Sequence, residues 1–438
     1  MTAGANGMFR SLGNRNFRLW VSTNLFSNIG TWMQGTAQTW LVLTELTEYS
    51  AGAVGILTAL QFLPQVLLVA ITGSIADHVD RRKLLITIQC IQTLLALTLG
   101  ALIISGAAEL WHVYIFGFAL GCCMAFEAPA RHSFVSDLVG DEIIGNAVAM
   151  NSTAFQLARM IGPALAGLCI ALVGTGWVFV INGFSYLIVT AGLLNVRVTR
   201  HGHGAGQPRG TSRLLDGFRY VAKRPDIRTV FLMLFFFGTL GMNFGIFISV
   251  MAATVFQKGA SEYGLLTSVM AIGSVTGALL TARRDRPRMH HAVIGTFLFG
   301  CAMTAAALSP SYIVFGVVLI GVGLAAQTSL TSSNGFVQLA TDRAMRGRVM
   351  AIYVAITLGG LPLGAPLIGW VADAFGARAA MGVGGAAGFL SSAIGLSYLI
   401  RVRGLKFIWD DRGPRLHMNP DPHLREPGPA VLPPDRAL

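Results

Sequence analysis

A chain of 438 residues with 53% hydrophobic and only 12% charged side chains is too apolar for an ordinary soluble protein, in which about a quarter of residues are charged. The formal net charge is +12, but the cations lie in short clusters between apolar runs rather than on one polar face, which argues against a nucleic-acid partner. No phosphate loop, Gly-x-Ser-x-Gly elbow or metal-spaced His pair occurs, so no enzyme chemistry, cofactor or metal is expected.

Twelve apolar runs follow in order, at 19–43, 51–76, 84–105, 111–130, 147–173, 177–196, 229–252, 263–282, 292–308, 312–331, 349–372 and 378–400. About 20 helical residues rise ~30 Å, enough to cross a hydrocarbon core, so an all-α membrane protein of twelve transmembrane helices is predicted. With the N-terminus in the cytoplasm, 29 of the 32 Lys and Arg fall on the inner side; Lys258 and Arg378 fall outside and Arg159 lies within a span. The positive-inside rule supports that orientation. The first run is too long for a cleavable leader and reads as a signal-anchor helix. Five cysteines sit in apolar spans without metal-ligand spacing and read as apolar filler.

Along the chain, residues 1–18 read as a cytoplasmic N-terminus and 19–196 as a first six-span half. The first span interleaves Asn24, Asn28, Gln34 and Gln38 with Trp32, Met33 and Trp40. Neutral amides in a membrane need partners or water, so they either line a cavity or bond between helices. Between the second and third spans lies Gly73-Ser-Ile-Ala-Asp77-His-Val-Asp80-Arg81-Arg82-Lys83. Glycine there lets helix ends approach, Asp77 can face a helix N-terminus, and Arg81 lies four positions further on. Glu127 and Arg131, at helical spacing, close the fourth span. The fifth contains Arg159-Met-Ile-Gly162-Pro163-Ala-Leu-Ala-Gly167, where Gly and Pro bend the helix and permit close packing. Arg159 lies deep in that span, where a guanidinium costs roughly 2.5 kcal/mol or more, so it faces a cavity or a buried partner.

Residues 197–228 read as a cytoplasmic linker, with an amphipathic helix from Ser212 to Arg224 that puts Leu214, Leu215, Phe218 and Val221 on one side and suits the anionic inner interface. Residues 229–400 read as a second six-span half, with Asn243 and Gln327 as further polar candidates, and 401–438 as a disordered cytoplasmic tail carrying seven prolines. The halves repeat: Phe134, Val135, Gly145, Gly162, Gly167 and Gly174 recur 202 positions later as Phe336, Val337, Gly347, Gly364, Gly369 and Gly376, the mark of a duplicated architecture.

The charged loop resembles the Gly-x-x-x-Asp-x-x-x-Arg-Arg/Lys signature of major facilitator superfamily transporters, matched by Gly73, Asp77, Arg81 and Arg82, with His78 and Asp80 departing from it. The fifth-span Gly-Pro motif is similar to the one in exporters of that superfamily, and the segment from Glu127 resembles the branch of enterobactin and macrolide exporters. The resemblance implies two pseudo-symmetric six-helix bundles rocking about a central cavity, in a monomer of the bacterial inner membrane. It also implies an inner gate of Gly73, Asp77, Arg81, Arg82, Glu127 and Arg131, with Glu127 paired to Arg81 and Asp77 set against the eleventh span. Gly162, Pro163 and Gly167 form a packed hinge. Asn24, Asn28, Gln34, Gln38, Arg159, Asn243 and Gln327 are the candidates for cavity or coupling. The expected activity is secondary transport of a small molecule, as a proton-coupled exporter of amphipathic drugs or siderophores. An importer of a small polar solute and a non-transporting sensor or scaffold are the alternatives.

Overall fold

The computed structural model describes residues 9–68, 72, 79–140, 142–196, 212–283, 287–404, 406–410 and 413–417. Gly73 and Asp77 lie outside the described residues. Within them the first bundle comprises α1 (Arg15–Trp40), α2 (Ala51–Leu67), α3 (Arg81–Ile104), α4 (Leu110–Leu138), α5 (Ile144–Val173) and α6 (Thr175–Asn195). A linker helix, α7 (Ser212–Ala222), leads to α8 (Pro225–Val255), α9 (Ala260–Ala282), α10 (Met289–Ala307), α11 (Tyr312–Ala340), α12 (Arg346–Phe375) and α13 (Ala377–Arg401). Ten of these helices are long and apolar enough to cross a membrane. The other two spans are α1, whose amides dilute its hydropathy, and α2, of which 17 residues form the described helix. Twelve spans in two sets of six result.

Local chemistry sets the helix starts. Asn14 caps α1 by accepting from the Asn16 and Phe17 N–H groups, Ser50 caps α2 through the Ala53 N–H, and Asp80 caps α3 through the Lys83 N–H. Helices α4 and α11 run about one turn or more beyond their apolar cores, to Leu138 and Ala340, which carries polar residues of the expected loops onto helical faces.

The duplication is visible in backbone angles. Gly174 and Gly376, 202 positions apart, turn α5 into α6 and α12 into α13 with φ 91° and 90° and the same ψ of 163°, a region open to glycine and strained for other residues. Phe134, Val135, Phe336 and Val337 are all buried in matching cores. Both α1 and α8 end in a π-helical turn, Leu41–Glu45 and Met251–Val255.

Within the first bundle α1 packs on α5 and α6, α2 on α4, and α3 on α4 and α6; in the second, α11 packs on α9 and α10, and α13 on α8 and α10. The bundles meet along α2–α12 and α5–α9. Glycines make these seams tight. A Cβ on Gly369 would lie 2.5 Å from the Ala51 carbonyl oxygen, and one on Gly167 would lie 2.5 Å from that of Ala260. Gly55 faces the Ala365 carbonyl and Gly264 that of Pro163. Such backbone-to-backbone contact substitutes dispersion for a hydrophobic force that lipid does not supply. All four contacts sit towards one end of the molecule, opposite the end that carries Arg81, Arg82 and Arg348.

Two elements depart from expectation. The amphipathic linker helix docks on the second bundle: Val221 is buried, Asp216 lies 3.8 Å from Arg348, and the Tyr220 hydroxyl donates to Asp342 at 3.2 Å. Leu215 and Phe218 of its expected apolar side are exposed. The tail, expected to be disordered, contains an antiparallel ribbon of β1 (Lys406–Asp410) and β2 (Gly413–His417) with Ile408 opposite Arg415.

Candidate functional site

At the cation-rich end, Arg81 opens α3 and donates to both carboxylate oxygens of Asp137, at 2.9 and 2.8 Å. Asp137 lies in the last turn of α4. This corrects the expected Glu127–Arg81 pair: α4 continues past residue 130, so the carboxylate level with Arg81 is Asp137, and Glu127 sits nearly three turns deeper. Arg82 donates to the carbonyls of Leu193 and Leu194 at 2.7 and 2.8 Å, where α6 ends and a cation complements the helix dipole. Across the second bundle, Arg224 forms a bidentate pair with Asp226 at 3.0 and 2.7 Å and donates to the Ala340 carbonyl. Burial works against that guanidinium, and Asp226 more than offsets it, so the Arg224 pKa is raised.

Glu127 is 7% exposed and lies inside the first bundle. Gln89 and Gln92 of α3 donate to its two oxygens at 3.2 and 2.8 Å, and Arg131, one turn on, pairs with it. Arg131 also donates to Asn28 Oδ1 at 3.0 Å. From Asn28 a polar stripe climbs α1. The Thr31 hydroxyl lies 3.2 Å from that of Tyr186, Asn182 donates to Gln34 at 2.7 Å, and Gln61 donates to Gln38 at 3.0 Å. A Cβ on Gly30 would collide with the side chains of Asn182 and Ser185, so glycine there lets α6 reach the stripe. Asn28, Gln34 and Gln38 therefore bond between helices of one bundle instead of lining an open cavity: spaced six and four residues apart, they meet α4, α6 and α2, which carry complementary groups. Asn24 is buried with neither amide atom partnered. Asn243 donates to the Thr239 carbonyl while its own oxygen stays unpartnered, and Gln327 bonds Thr331 on its own helix.

The fifth-span motif does two packing jobs. A Cβ on Gly162 would lie 2.6 Å from Trp32 Cβ, which brings α1 against α5. One turn along, Pro163 and Gly167 form the seam with α9, where the Ala164 N–H donates to Ser268 at 3.0 Å. Arg159 lies half-buried on the same helix with its guanidinium carbon 5.7 Å from the centre of the Trp32 ring.

At the opposite end of the molecule stands a carboxylate that no motif announced. Asp373, near the end of α12, accepts from the Ala51 and Gly52 N–H groups at 2.6 and 2.9 Å and from the Ser50 hydroxyl at 3.1 Å. It thus caps the N-terminus of α2 in the other bundle, where donors and dipole both favour an anion. A Cβ on Gly52 would lie 2.8 Å from its Oδ2. The sequence signal for it was a carboxylate placed just past the end of the eleventh apolar run, facing a short Ser-Ala-Gly helix start. Nearby, a cavity of about 690 Å³ between the ends of α1 and α8 is lined by Trp40, Tyr49, Gln257 and Lys258.

Two glycine-seamed bundles of six membrane helices define a transporter of the major facilitator superfamily, a protein that moves small molecules and is not an enzyme. The chain matches the transmembrane secretion effector family over residues 6–426, and it belongs to that family. It is 25% identical over 364 residues to the staphyloferrin A transporter of Staphylococcus aureus, covering 82% of this chain and 90% of that one. It is 27% identical over 307 residues to the enterobactin exporter EntS of Shigella boydii, covering 68% and 71%. Among solved structures, an inward-facing bacterial homologue of the lysosomal transporter Spinster superposes with a TM-score of 0.70 at 17% identity, over 87% of this chain and 98% of that one. A D-xylose-proton symporter superposes with a TM-score of 0.67 at 14% identity, over 88% and 97%. These structures establish the fold.

Proposed function

We propose that the chain is a monomeric, proton-coupled exporter of amphipathic small molecules of the siderophore or drug type, working by alternating access in the bacterial inner membrane with both termini in the cytoplasm. The cation count supports the orientation, and the names of the relatives support efflux. The observation that carries the coupling is Glu127, a buried carboxylate whose ionic partner is one turn away on its own helix. Protonation would free Arg131 while leaving it against Asn28, so one proton would redistribute charge inside the bundle and change how α1 and α4 hold each other. Asp137 with Arg81 supports the gate reading at the inner end in place of Glu127, while Arg131 goes with the buried group. Gly73 and Asp77 keep their proposed place in that gate, and Gly162, Pro163 and Gly167 serve as the seam on which the bundles rock. Asp373 would hold the outer end shut when the inner end is open.

The test is uptake of an amphipathic dye, and of enterobactin, into everted vesicles with an imposed proton gradient. The expected result is gradient-driven uptake that an uncoupler abolishes and that Glu127→Gln reduces to an uncoupled leak. Uptake indifferent to the uncoupler would sink the proton role; flux only in right-side-out vesicles would replace export by import.

A further inference from the structure

Among the described residues, three charged ones lie inside the first bundle: Glu127, Arg131 and Arg159. The first two neutralise each other. Arg159 has no carboxylate, carbonyl or hydroxyl acceptor among the described residues, and its nitrogens are not among the buried atoms sealed from solvent. It lies about 15 residues from each end of α5, hence roughly 20 Å from either mouth. A guanidinium without an anion is costly at that depth, and among the described residues the Trp32 face is what stands against it.

What surrounds it is a built aromatic surface. The Arg159 guanidinium stands over the Trp32 face, and Phe155 meets Trp32 edge-on with ring centres 5.8 Å apart. Gly162 fixes Trp32 there, since only a residue without Cβ lets α1 come this close. One turn away, Pro163 and Ala164 touch α9 of the other bundle, so Arg159 stands beside the seam that opens and closes. A guanidinium binds a carboxylate through two parallel hydrogen bonds, and the adjoining rings offer apolar area to a flat cargo.

We infer that Arg159 on Trp32 is an anion subsite, and that the cargo is an aromatic or otherwise flat amphiphile bearing a carboxylate-like acid group. The inference rests on the transporter reading and narrows its substrate class. A cargo of one negative charge leaves the bundle's interior neutral when loaded.

The test uses the full chain in nanodiscs and three probes of one shape: naphthalene-2-carboxylate, the neutral naphthalene-2-carboxamide and the cationic 2-naphthylmethylammonium. Equilibrium binding is read above empty nanodiscs. Wild-type protein should prefer the carboxylate over the carboxamide by about tenfold or more, the value of one charge-assisted contact. Arg159→Gln should erase that ratio, lowering carboxylate binding about tenfold more than carboxamide binding. If Arg159→Gln yields no folded protein, Arg159→Lys carries the test, and the ratio should fall severalfold as the bidentate contact is lost. No anion preference in the wild type, a ratio unmoved by substitution, or equal loss for all three probes would each overturn the subsite. Dye efflux without anion preference sinks the subsite alone; anion preference without flux in vesicles sinks the export reading alone.

Discussion

In the first bundle buried amides bond from helix to helix, as Asn182 does with Gln34, Gln61 with Gln38, and Gln89 and Gln92 with Glu127. In the second, hydroxyls mostly bond back to a carbonyl of their own helix: Thr267 to Tyr263, Ser274 to Met270, Thr281 to Gly277, Thr304 to Gly300 and Thr357 to Tyr353. Its core is instead aromatic, with Phe299 packed edge-on against Phe237 at 4.8 Å and Phe244 at 6.2 Å. The two halves share a six-helix plan, down to the matching turns at Gly174 and Gly376. Duplication has thus preserved the frame while the buried network of amides around Glu127 and Arg131 belongs to the first half. The ionic groups of the second, Arg224 with Asp226 and Asp373, stand at helix ends. A self-bonded hydroxyl is satisfied whatever its neighbours do, whereas a cross-helix amide fixes the distance between two helices. The first bundle is wired; the second is greased.

That contrast can be broken in three places. The largest effect belongs to Glu127→Ala, which leaves Arg131 buried and unpaired and should cost about 3–5 kcal/mol of stability. Thermal unfolding in detergent checks it, and adding Arg131→Met should recover most of the loss. If the single variant unfolds like the wild type, the pair is not the keystone of the first bundle. Next comes Asp373→Ala, which removes an anion from a helix N-terminus and loosens the α2–α12 seam by roughly 1–2 kcal/mol. Maleimide labelling of Ala260→Cys, buried in the companion seam, should then accelerate severalfold in a background lacking the native cysteines. Unchanged labelling would mean that the glycines alone close that end. The smallest effect is expected for Thr296→Val in the second bundle. That hydroxyl serves only the Ala292 and Val293 carbonyls of its own helix, so stability should move by less than about 0.5 kcal/mol. A larger loss would show that the second bundle's polar groups hold helices together after all.

Much of this architecture was legible before any coordinates. The 202-residue repeat predicted equivalent glycines, and Gly174 and Gly376 share their angles. The fifth-span Gly-Pro pattern predicted close packing, and it packs on α1 and α9. Arg159 stood out because nothing apolar tolerates it at that depth. What hydropathy misplaced were the carboxylates at helix ends. Asp137 and Asp373 fall outside the apolar runs, since a helix crossing a membrane continues into the interface where charge costs little. The acid that the resemblance implied for Arg81, Glu127, is for the same reason not the one level with it. The direction of the α1 amides was undecided for a different reason: periodicity says that they share a face, but only the positions of α2, α4 and α6 decide whether that face meets water or other amides. Gly73 and Asp77, the strongest signature in the sequence, lie outside the described residues, and their part in a gate stands as a proposal.

The cap that Asp373 places on α2 has a further consequence for how this protein can be traced among its kin. Two of its three donors belong to the main chain, so residue 51 can vary without touching the bond, while residue 52 must stay without a side chain. Substitutions that change in step with Asp373 are expected at residues 50 and 52, which meet its carboxylate through a hydroxyl and a missing side chain, and not at residue 51. The contact that joins the two halves at that mouth is one that evolution can keep or delete, but cannot swap for its mirror image.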